Sequence, residues 1–310
     1  DPITTTTRID GFTITAGNAG GGGKGGGLYC LGRGSGNACS PSIANVLFSG
    51  NSASDGGAMF CIGTNGGASS PSLVNVTFSG NSAGYDGGAM LSTGEYGGVS
   101  SPSLVNVTFS GNLAGYSGGA MYNNGYGDGG VSSPSLVNVT FSGNSAGRSG
   151  GAMYNVGGLR GVGSPSLFNV TFSSNSAGDD GGAMYNRAAN DGVSSPSLAS
   201  VRFSGNSARD GGAMYNYGGV SGVSSPSLAN VTFSSNLASG NGGAMYNVGY
   251  FNGSWYDPGG VSSPSLVNVT FSGNSAGSDG GAMYNYGLPW VVSSPSLVNV
   301  LLWGNSAANG

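Results

Sequence analysis

The side chains that could carry acid–base chemistry are few in this 310-residue chain. It has no histidine, which excludes His-based triads, imidazole acid–base catalysis and His metal ligands. Glu95 is the only glutamate. The most closely grouped charged residues are Asp179, Asp180, Arg209 and Asp210, just before Gly-Gly in neighbouring repeat copies. Carboxylates beside a basic residue would suit cleavage of an acidic polysaccharide, and carboxylate oxygens would suit a Ca²⁺ ion.

A simpler explanation of these acidic residues is turn chemistry, because Asp, Asn and Ser are favoured in turns. The same place before Gly-Gly holds small polar residues in the other copies: Asp55, Asp86, Ser117, Ser149, Asn241 and Asp279. The calcium-binding nonapeptide repeat does not occur in the sequence. We therefore predict a protein that is not an enzyme and has no cofactor. A lyase-like enzyme is a minor alternative, as is a Ca²⁺ ion at the edge formed by Asp179, Asp180 and Asp210.

An insertion at residues 248–260, before Pro264, is rich in aromatic residues. Together with "NYGLPWVV" in the next copy, it gives a candidate binding cluster of Tyr250, Phe251, Trp255, Tyr256 and Trp290. Exposed aromatic patches mark binding to protein or sugar. The alternative is a loop that folds its rings onto the wall of the molecule. Asn252, in "FNGSW", is a better N-glycosylation acceptor than the "NVT" copies, whose Asn we assign to an internal ladder.

Hydroxyl side chains form a second array, two residues apart in each copy. The pairs are Thr77 with Ser79, Thr108 with Ser110, Thr140 with Ser142, Thr171 with Ser173, Thr232 with Ser234, and Thr270 with Ser272. Such flat Thr arrays resemble those of ice-binding β-solenoids. Against this interpretation, Arg202 interrupts the face, and outward hydroxyls are ordinary strand surface.

All these residues belong to tandem repeats, which must be recognised before any other feature. The proline of "SPS" recurs about every thirty residues, at Pro41, Pro71, Pro102, Pro134, Pro165, Pro196, Pro226, Pro264 and Pro295. A second fixed position, ten residues later, holds Asn51, Asn81, Asn112, Asn144, Asn175, Asn206, Asn236, Asn274 and Asn305. All eight methionines lie in Gly-Gly-Ala-Met. Because "SLVNVTFS" alternates with period two and is β-branched, the copies are strands separated by turns, not helices.

We predict one all-β domain over residues 1–310, a right-handed parallel β-helix of about ten coils with three short strands per coil; residues 1–29 form the entry coil. Val and Phe of "NVTF" point inward and stack about 4.8 Å apart. The Asn51 column and a second column, from Asn45 to Asn299 with Ser200 as its exception, hydrogen-bond between coils at buried turns. Met points inward and the following Tyr outward, with the opposite phase as the alternative.

The alternation of "FSGN" with "GGAM" resembles the FxxN and GGA[ILV] repeats of the chlamydial polymorphic membrane protein family. The resemblance covers nearly the whole chain from about Cys30 onward, with Met in place of the usual Ile, Leu or Val. The opening "IDGFTITAGNAGGG" is similar to the entry coil of many bacterial right-handed β-helix proteins. The resemblance to the chlamydial polymorphic membrane protein repeats implies a surface autotransporter passenger or adhesin. Motifs of this kind indicate the fold more strongly than the function.

Composition limits the partners. Eight Lys and Arg without a run give no electrostatic footprint for nucleic acid. No apolar run approaches the ~20 residues of a membrane span. We expect a mature, secreted chain that is extracellular or on the cell surface. Its three cysteines leave three arrangements open: Cys30 stacked on Cys61, a Cys30–Cys39 bridge, or no bridge.

The two ends of the sequence complete the functional hypothesis. No recognisable cap precedes "DPITTTTRIDGFTIT" or follows "LLWGNSAANG". Open coil edges pair with other strands, so the chain is either part of a longer surface protein or stacks head to tail into an open filament. We favour a structural or adhesive protein that forms homopolymers. The alternative is a monomeric adhesin that binds a surface glycan or a host protein.

Overall fold

The chain winds into a parallel β-solenoid, as the repeats predict. The computed structural model describes residues 2–251, 258–287 and 290–309. Every strand pair among the described residues is parallel, and each strand pairs with the equivalent strand of the neighbouring coils. The strands form four sheets, one more than the three strands per coil that we predicted. The additional sheet arises because the two residues after each asparagine of the Asn51 column, Ser-Ala in most coils, pair with the same residues of the neighbouring coils. This strand is only two residues long in most coils.

We name the sheets by a residue that recurs in their strands. The Leu sheet contains β1 (Arg8–Asp10), β5 (Ser42–Ala44), β9 (Ser72–Val74), β13 (Ser103–Val105), β17 (Ser135–Val137), β21 (Ser166–Phe168), β25 (Ser197–Ala199), β29 (Ser227–Ala229), β33 (Ser265–Val267) and β37 (Ser296–Val298). The Phe sheet contains β2 (Thr13–Thr15), β6 (Leu47–Ser49), β10 (Thr77–Ser79), β14 (Thr108–Ser110), β18 (Thr140–Ser142), β22 (Thr171–Ser173), β26 (Arg202–Ser204), β30 (Thr232–Ser234), β34 (Thr270–Ser272) and β38 (Leu301–Trp303).

The other two sheets follow in each coil. The Ala sheet contains β3 (Asn18–Lys24), β7 (Ser52–Asp55), β11 (Ser82–Ala83), β15 (Leu113–Ala114), β19 (Ser145–Ala146), β23 (Ser176–Ala177), β27 (Ser207–Ala208), β31 (Leu237–Ala238), β35 (Ser275–Ala276) and β39 (Ser306–Ala307). The Met sheet contains β4 (Leu28–Arg33), β8 (Met59–Thr64), β12 (Met90–Glu95), β16 (Met121–Tyr126), β20 (Met153–Gly158), β24 (Met184–Ala189), β28 (Met214–Gly218), β32 (Met245–Gly249) and β36 (Met283–Tyr286).

The core consists of identical apolar columns along the solenoid axis. Leu, Val, Phe, Ala and Met of each interior coil are buried, for example Leu136, Val139, Phe141, Ala152 and Met153. The Phe rings from Phe48 to Phe271 stack with centroids 4.7–4.9 Å apart. This is the inter-strand spacing of a sheet, so the predicted inward Val and Phe columns are confirmed. The inward phase of Met is confirmed as well.

The Asn51 ladder is the buried asparagine column, with the members predicted from the repeat. Asn81 is representative: its Nδ2 donates both to the Phe48 carbonyl at 3.1 Å and to Oδ1 of Asn112, in the next coil, at 3.0 Å. The backbone N–H of Asn81 also donates to Oδ1 of Asn112. Each amide therefore satisfies backbone groups of a buried turn and donates one hydrogen bond to the amide of the following coil, as predicted.

The Asn45 ladder differs from its prediction because its side chains are exposed. Its members hold φ between 52° and 55°, the left-handed region that Asn tolerates better than other residues with a side chain: Asn45, Asn75, Asn106, Asn138, Asn169, Asn230, Asn268 and Asn299. Nδ2 of the members other than Asn230 donates to the preceding coil, as from Asn75 to Asn45 at 3.2 Å. Ser200 keeps the turn, with φ 56°, but interrupts the ladder. The residue type is thus set mainly by backbone conformation, not by burial.

A third asparagine column lies inside the Met sheet and was missed by the sequence analysis. This Asn123 ladder runs through Asn123, Asn155, Asn186, Asn216, Asn247 and Asn285, with Nδ2 to Oδ1 distances of 2.8 Å. Its first member has the buried Oδ1 that lacks a partner among the described residues. Ser92 occupies the equivalent position one coil earlier, and its Oγ bonds to Ser100 instead.

The cysteine alternatives are resolved in the first coils. Cys30 and Cys39 form a disulfide, and Cys61 is a free, buried thiol. Cys61 also lies beside Cys30 in the register of β4 and β8, so the predicted stacking occurs without a bond between these two residues. Burial raises the pKa of the Cys61 thiol to about 12, which keeps it protonated at neutral pH.

Candidate functional site

The predicted aromatic cluster is described at Tyr250, Phe251 and Trp290. Tyr250 is exposed and stacks on Tyr217 of the preceding coil, with ring centroids 5.9 Å apart. Phe251 is half-buried. Trp290 is 67% exposed and has a left-handed backbone, with φ 76°. The insertion and the following copy therefore bring one exposed aromatic ring each, Tyr250 and Trp290, to the C-terminal part of the solenoid.

Trp255 and Tyr256, the other two members of that cluster, lie outside the described residues. The glycosylation acceptor Asn252 lies there as well. Their places in a common binding surface stay predictions.

The four charged candidates do come together. Arg209 makes ion pairs with Asp179 at 3.4 Å, Asp180 at 3.1 Å and Asp210 at 3.1 Å. Burial raises the pKa of the Asp180 carboxyl to about 6, although the Arg209 charge opposes this shift. The hydrogen bond to Asp210 contributes most to raising the pKa of Arg209. The guanidinium thus occupies the position between the carboxylates that a bound cation would take.

The Asp column has a structural role that fits the turn explanation. Oδ1 of Asp86 accepts the backbone N–H of Ser117 in the next coil at 3.0 Å, and Oδ1 of Asp210 accepts that of Asn241 at 2.7 Å. Within residues 2–251, 258–287 and 290–309, no group of three or more His, Cys, Asp or Glu side chains is placed to hold a metal ion. Side-chain oxygens before Gly-Gly therefore support the neighbouring turn.

Tyrosines form the outer face of the Met sheet. The rings of Tyr122, Tyr154, Tyr185, Tyr215 and Tyr246 stack at 4.7–5.0 Å. They point outward, as predicted, but they are largely covered, and burial raises the pKa of each phenol. The column is a continuous aromatic wall with little free ring surface.

The hydroxyl array lies on the outer face of the Phe sheet. Its Thr and Ser residues are half-exposed and in register, as in the pairing of Thr77 with Thr108 and Ser79 with Ser110. Arg202 is in the Thr column, between Thr171 and Thr232. The face is regular but interrupted, and ice binding by it stays a prediction.

The last coil presents core positions to solvent. Leu297 and Leu302 occupy the columns of Leu266 and Phe271, which are fully buried one coil earlier. Leu302 is 58% exposed, and the backbone edges of β37, β38 and β39 have no following strand among the described residues. We call the side of this coil that faces away from the preceding coil the end face; Leu297, Leu302 and the three strands define it, and its core positions are apolar.

The first coil presents a matching face. Ile9 lies in the Leu column through its pairing with Ile43, and Ile14 lies in the Phe column through Phe48. Both side chains are only partly buried. The two end faces therefore carry apolar residues in the same columns.

Five segments of the chain match the model of the Chlamydia polymorphic membrane protein repeat: residues 75–89, 138–155, 169–192, 230–247 and 268–285. Each begins at an Asn45-ladder position, and most extend into a Met-sheet strand. The matches cover less than a third of the chain, and they confirm the resemblance seen in the sequence motifs. No curated protein matches the sequence. Among the described residues, no helix is long and apolar enough to cross a bilayer.

Proposed function

We propose that this chain is an extracellular, non-enzymatic structural protein whose solenoids stack head to tail into filaments at or near a cell surface. The observation that carries the proposal is that the first and last described coils place apolar side chains in the same core columns, Ile9 with Leu297 and Ile14 with Leu302. Unpaired edges of a flat sheet are templates for pairing with another chain. The surface location rests on the resemblance to a repeat of surface proteins.

The register supports a second copy as the occupant of this face. Continuing each column places Ile9 of the next copy on Leu297, and Ile14 on Leu302. Such a contact is heterologous, with different surfaces on the two partners, and repetition of it generates an open fibre.

The same register predicts where the junction is weakest. The Leu, Phe and Ala sheets have ten strands each, whereas nine strands of the Met sheet are described. A junction built from the described strands therefore joins three sheets and leaves one strand position of the Met sheet unfilled, between β36 and β4 of the next copy. We expect filaments to break at junctions rather than within a solenoid.

Electron microscopy across a dilution series tests the proposal, using a pair of adjacent variants. Leu302→Glu places a carboxylate on the end face, and Leu301→Glu places one on the lateral face; the two leucines are 58% and 57% exposed. We expect fibres with an axial repeat of about 50 Å, since ten strands are stacked at ~4.8 Å. Leu302→Glu should abolish them, and Leu301→Glu should not.

Deletion of residues 9–16 tests the opposite end and should also abolish fibres. Isolated short rods of the native chain at every concentration would contradict stacking. Polymerisation of either the Leu302→Glu variant or the deletion variant would contradict this particular junction.

A second candidate function is a monomeric surface adhesin, which the exposed rings of Tyr250 and Trp290 favour. Exposed aromatic side chains contribute strongly to recognition of protein or sugar. Under this alternative, Trp290→Ala lowers binding to a glycan or host surface and leaves the polymer state unchanged. Binding that survives Trp290→Ala would remove the specific reason for this candidate.

A further inference from the structure

A column of tight turns follows the Met sheet, one turn per coil. In the turn Thr64–Gly67, Asn65 and Gly66 have φ of 53° and 79°, and the N–H of Gly67 donates to the Thr64 carbonyl at 3.0 Å. Two central residues with positive φ define a type I′ turn, for which Asn-Gly is the relaxed sequence. This coil shows the turn in its least strained form.

Later coils place larger side chains in the same turn. Tyr96 has φ 49°, and the consecutive residues Leu159 and Arg160 have φ of 49° and 65°. The closing hydrogen bonds are kept, from Gly98 to the Glu95 carbonyl and from Gly161 to the Gly158 carbonyl. Left-handed φ at bulky residues is strained, and such strain concentrates at functional sites. Tyr96, Leu159 and Arg160 therefore occupy these tips against a backbone preference for Asn-Gly.

The strained tips line a common groove. It has a volume of about 240 Å³ and is bordered by Tyr96, Gly127, Asp128, Leu159, Arg160, Asn190 and Asp191. Tyr96 is 56% exposed, and its ring meets that of Tyr126 edge to face at 6.3 Å. Nε of Arg160 donates to Oδ1 of Asp128 at 2.8 Å, and both side chains are largely exposed. The groove thus combines an exposed aromatic ring, an exposed aliphatic side chain and several planar polar groups.

We propose that this groove binds a short neutral glycan. A pyranose ring offers an apolar C–H face, which suits Tyr96 and Leu159, and hydroxyl pairs, which suit the carboxylates, the Asn190 amide and the guanidinium. Two carboxylates against one guanidinium disfavour an anionic sugar. The volume is below the roughly 300–1,000 Å³ of pockets for drug-sized ligands, so we expect one or two sugar rings.

A peptide is a poorer fit for the same groove. Peptides bind to sheets mainly by adding a strand at a free edge. The flanking strands β12, β16, β20 and β24 are each paired on both sides, so no edge is available here. The groove lies on interior coils, and the inference therefore does not depend on stacking of the end faces.

The sequence held a signal for this site that the motif analysis passed over. The segments after the Met strands read "TNGG", "EYGG", "GDGG", "GLRG" and "ANDG". The two central residues are Leu-Arg in one segment and Asn-Gly, Tyr-Gly, Asp-Gly and Asn-Asp in the other four; Asn-Gly and Asp-Gly are the usual turn pairs. Leu-Arg is the only one of these five pairs without Gly, Asn or Asp, and this departure points to a surface role.

The test uses the native chain on a microarray of neutral and acidic oligosaccharides, with each hit confirmed by titration calorimetry. Tyr96→Ala should weaken binding at least tenfold. The decisive variant is Leu159→Asn with Arg160→Gly, which restores the relaxed turn. It should abolish binding and raise Tm by about 1–3 °C, because the strain is removed. Tyr85→Ala, at an exposed tyrosine outside the groove, is the matched control and should bind normally.

Three results would overturn the inference. One is that no neutral oligosaccharide binds the native chain. Another is that the Leu159→Asn, Arg160→Gly variant binds as well as the native chain, or unfolds at a lower temperature. The third is capture of a protein that persists after enzymatic removal of all its glycans, which would assign the groove to a protein partner instead.

Discussion

The Asn51 ladder and the Asn45 ladder are built from the same amide, but the amide has different tasks in the two places. In the Asn51 ladder, Asn144 is buried and bonds to the Phe109 carbonyl, to Asn175 and to the Asn112 backbone N–H. In the Asn45 ladder, Asn138 is exposed and bonds to Asn106 at 3.1 Å. The inner residue satisfies buried polar groups, whereas the outer residue mainly permits a left-handed turn.

This difference shows that Asn recurs at the two repeat positions for two different physical reasons. Loss of a buried partner costs the desolvation of every group left unpaired. Loss of an exposed partner is compensated by water, so only the backbone preference remains. The same substitution in the two ladders should therefore have effects of different size.

The largest effect is expected for Asn144→Ala in the Asn51 ladder. It leaves the Phe109 carbonyl and two donors of Asn112 without their partner inside the solenoid. We expect a loss of about 3 kcal/mol or more in the free energy of unfolding, at roughly 1–3 kcal/mol per unsatisfied group. Urea denaturation followed by circular dichroism measures it. A loss below about 1 kcal/mol would show that water enters the turn and replaces the amide.

Asn138→Ala is the matched change in the Asn45 ladder. We expect it to lower the free energy of unfolding by about 1 kcal/mol, because Ala resists φ near 55°. Asn138→Gly is its control and should stay within about 0.5 kcal/mol of the native chain, since Gly adopts positive φ freely. If Gly were as damaging as Ala in the same denaturation experiment, the ladder bonds would matter more than the backbone.

Ser92→Asn sharpens the comparison by completing an inner ladder. It places an amide donor opposite the unpartnered Oδ1 of Asn123, in a column that accommodates Asn in every later coil. We expect a gain of about 1 kcal/mol in the free energy of unfolding, measured by urea denaturation. Ser92→Ala removes the bond to Ser100 without supplying a donor, so it should destabilise the chain. No gain from Asn would mean that the Asn123 oxygen is already solvated.

The smallest effect is expected for Ser200→Asn, which closes the gap in the outer ladder. Ser200 already has φ 56°, so the change adds only exposed bonds to Asn169 and Asn230. We expect a gain of about 0.5 kcal/mol or less, near the lower limit for a hydrogen bond. A thermal unfolding series that placed this gain above that of Ser92→Asn would reverse the assignment of roles to the ladders.

Much of the fold could be predicted because the repeat specifies the register directly. Identical Phe and Leu residues recur at one spacing, and a one-residue slip would move them all to the outer face. The fourth sheet was less predictable, because a two-residue Ser-Ala strand has too little alternation to be recognised. The Asn123 ladder was missed although Asn follows Met by two residues in most copies, since only the Met and Tyr positions were considered in assigning that strand.

The candidate sites were less predictable than the fold. The proximity of Arg209 to three carboxylates follows from the repeat, but the ion pairs that offset part of their charge depend on an arginine that only one other copy, at Arg148, carries in this position. The groove at Tyr96 and Leu159 has only a weak signal in the sequence, the bulky Leu-Arg pair at a turn position. Its defining property is a backbone conformation imposed by the neighbouring coils, which the local sequence does not favour.

The amide-to-amide bonds of the two inner ladders all run in one direction, with Nδ2 donating to Oδ1 of the next coil towards the C terminus. The Asn45 ladder donates in the opposite direction, from each coil to the one before. Aligned hydrogen bonds polarise one another, so the solenoid has a direction along its axis and its two ends are chemically different. If chains join end to end, a fibre inherits this polarity, and growth at its two tips proceeds at different rates.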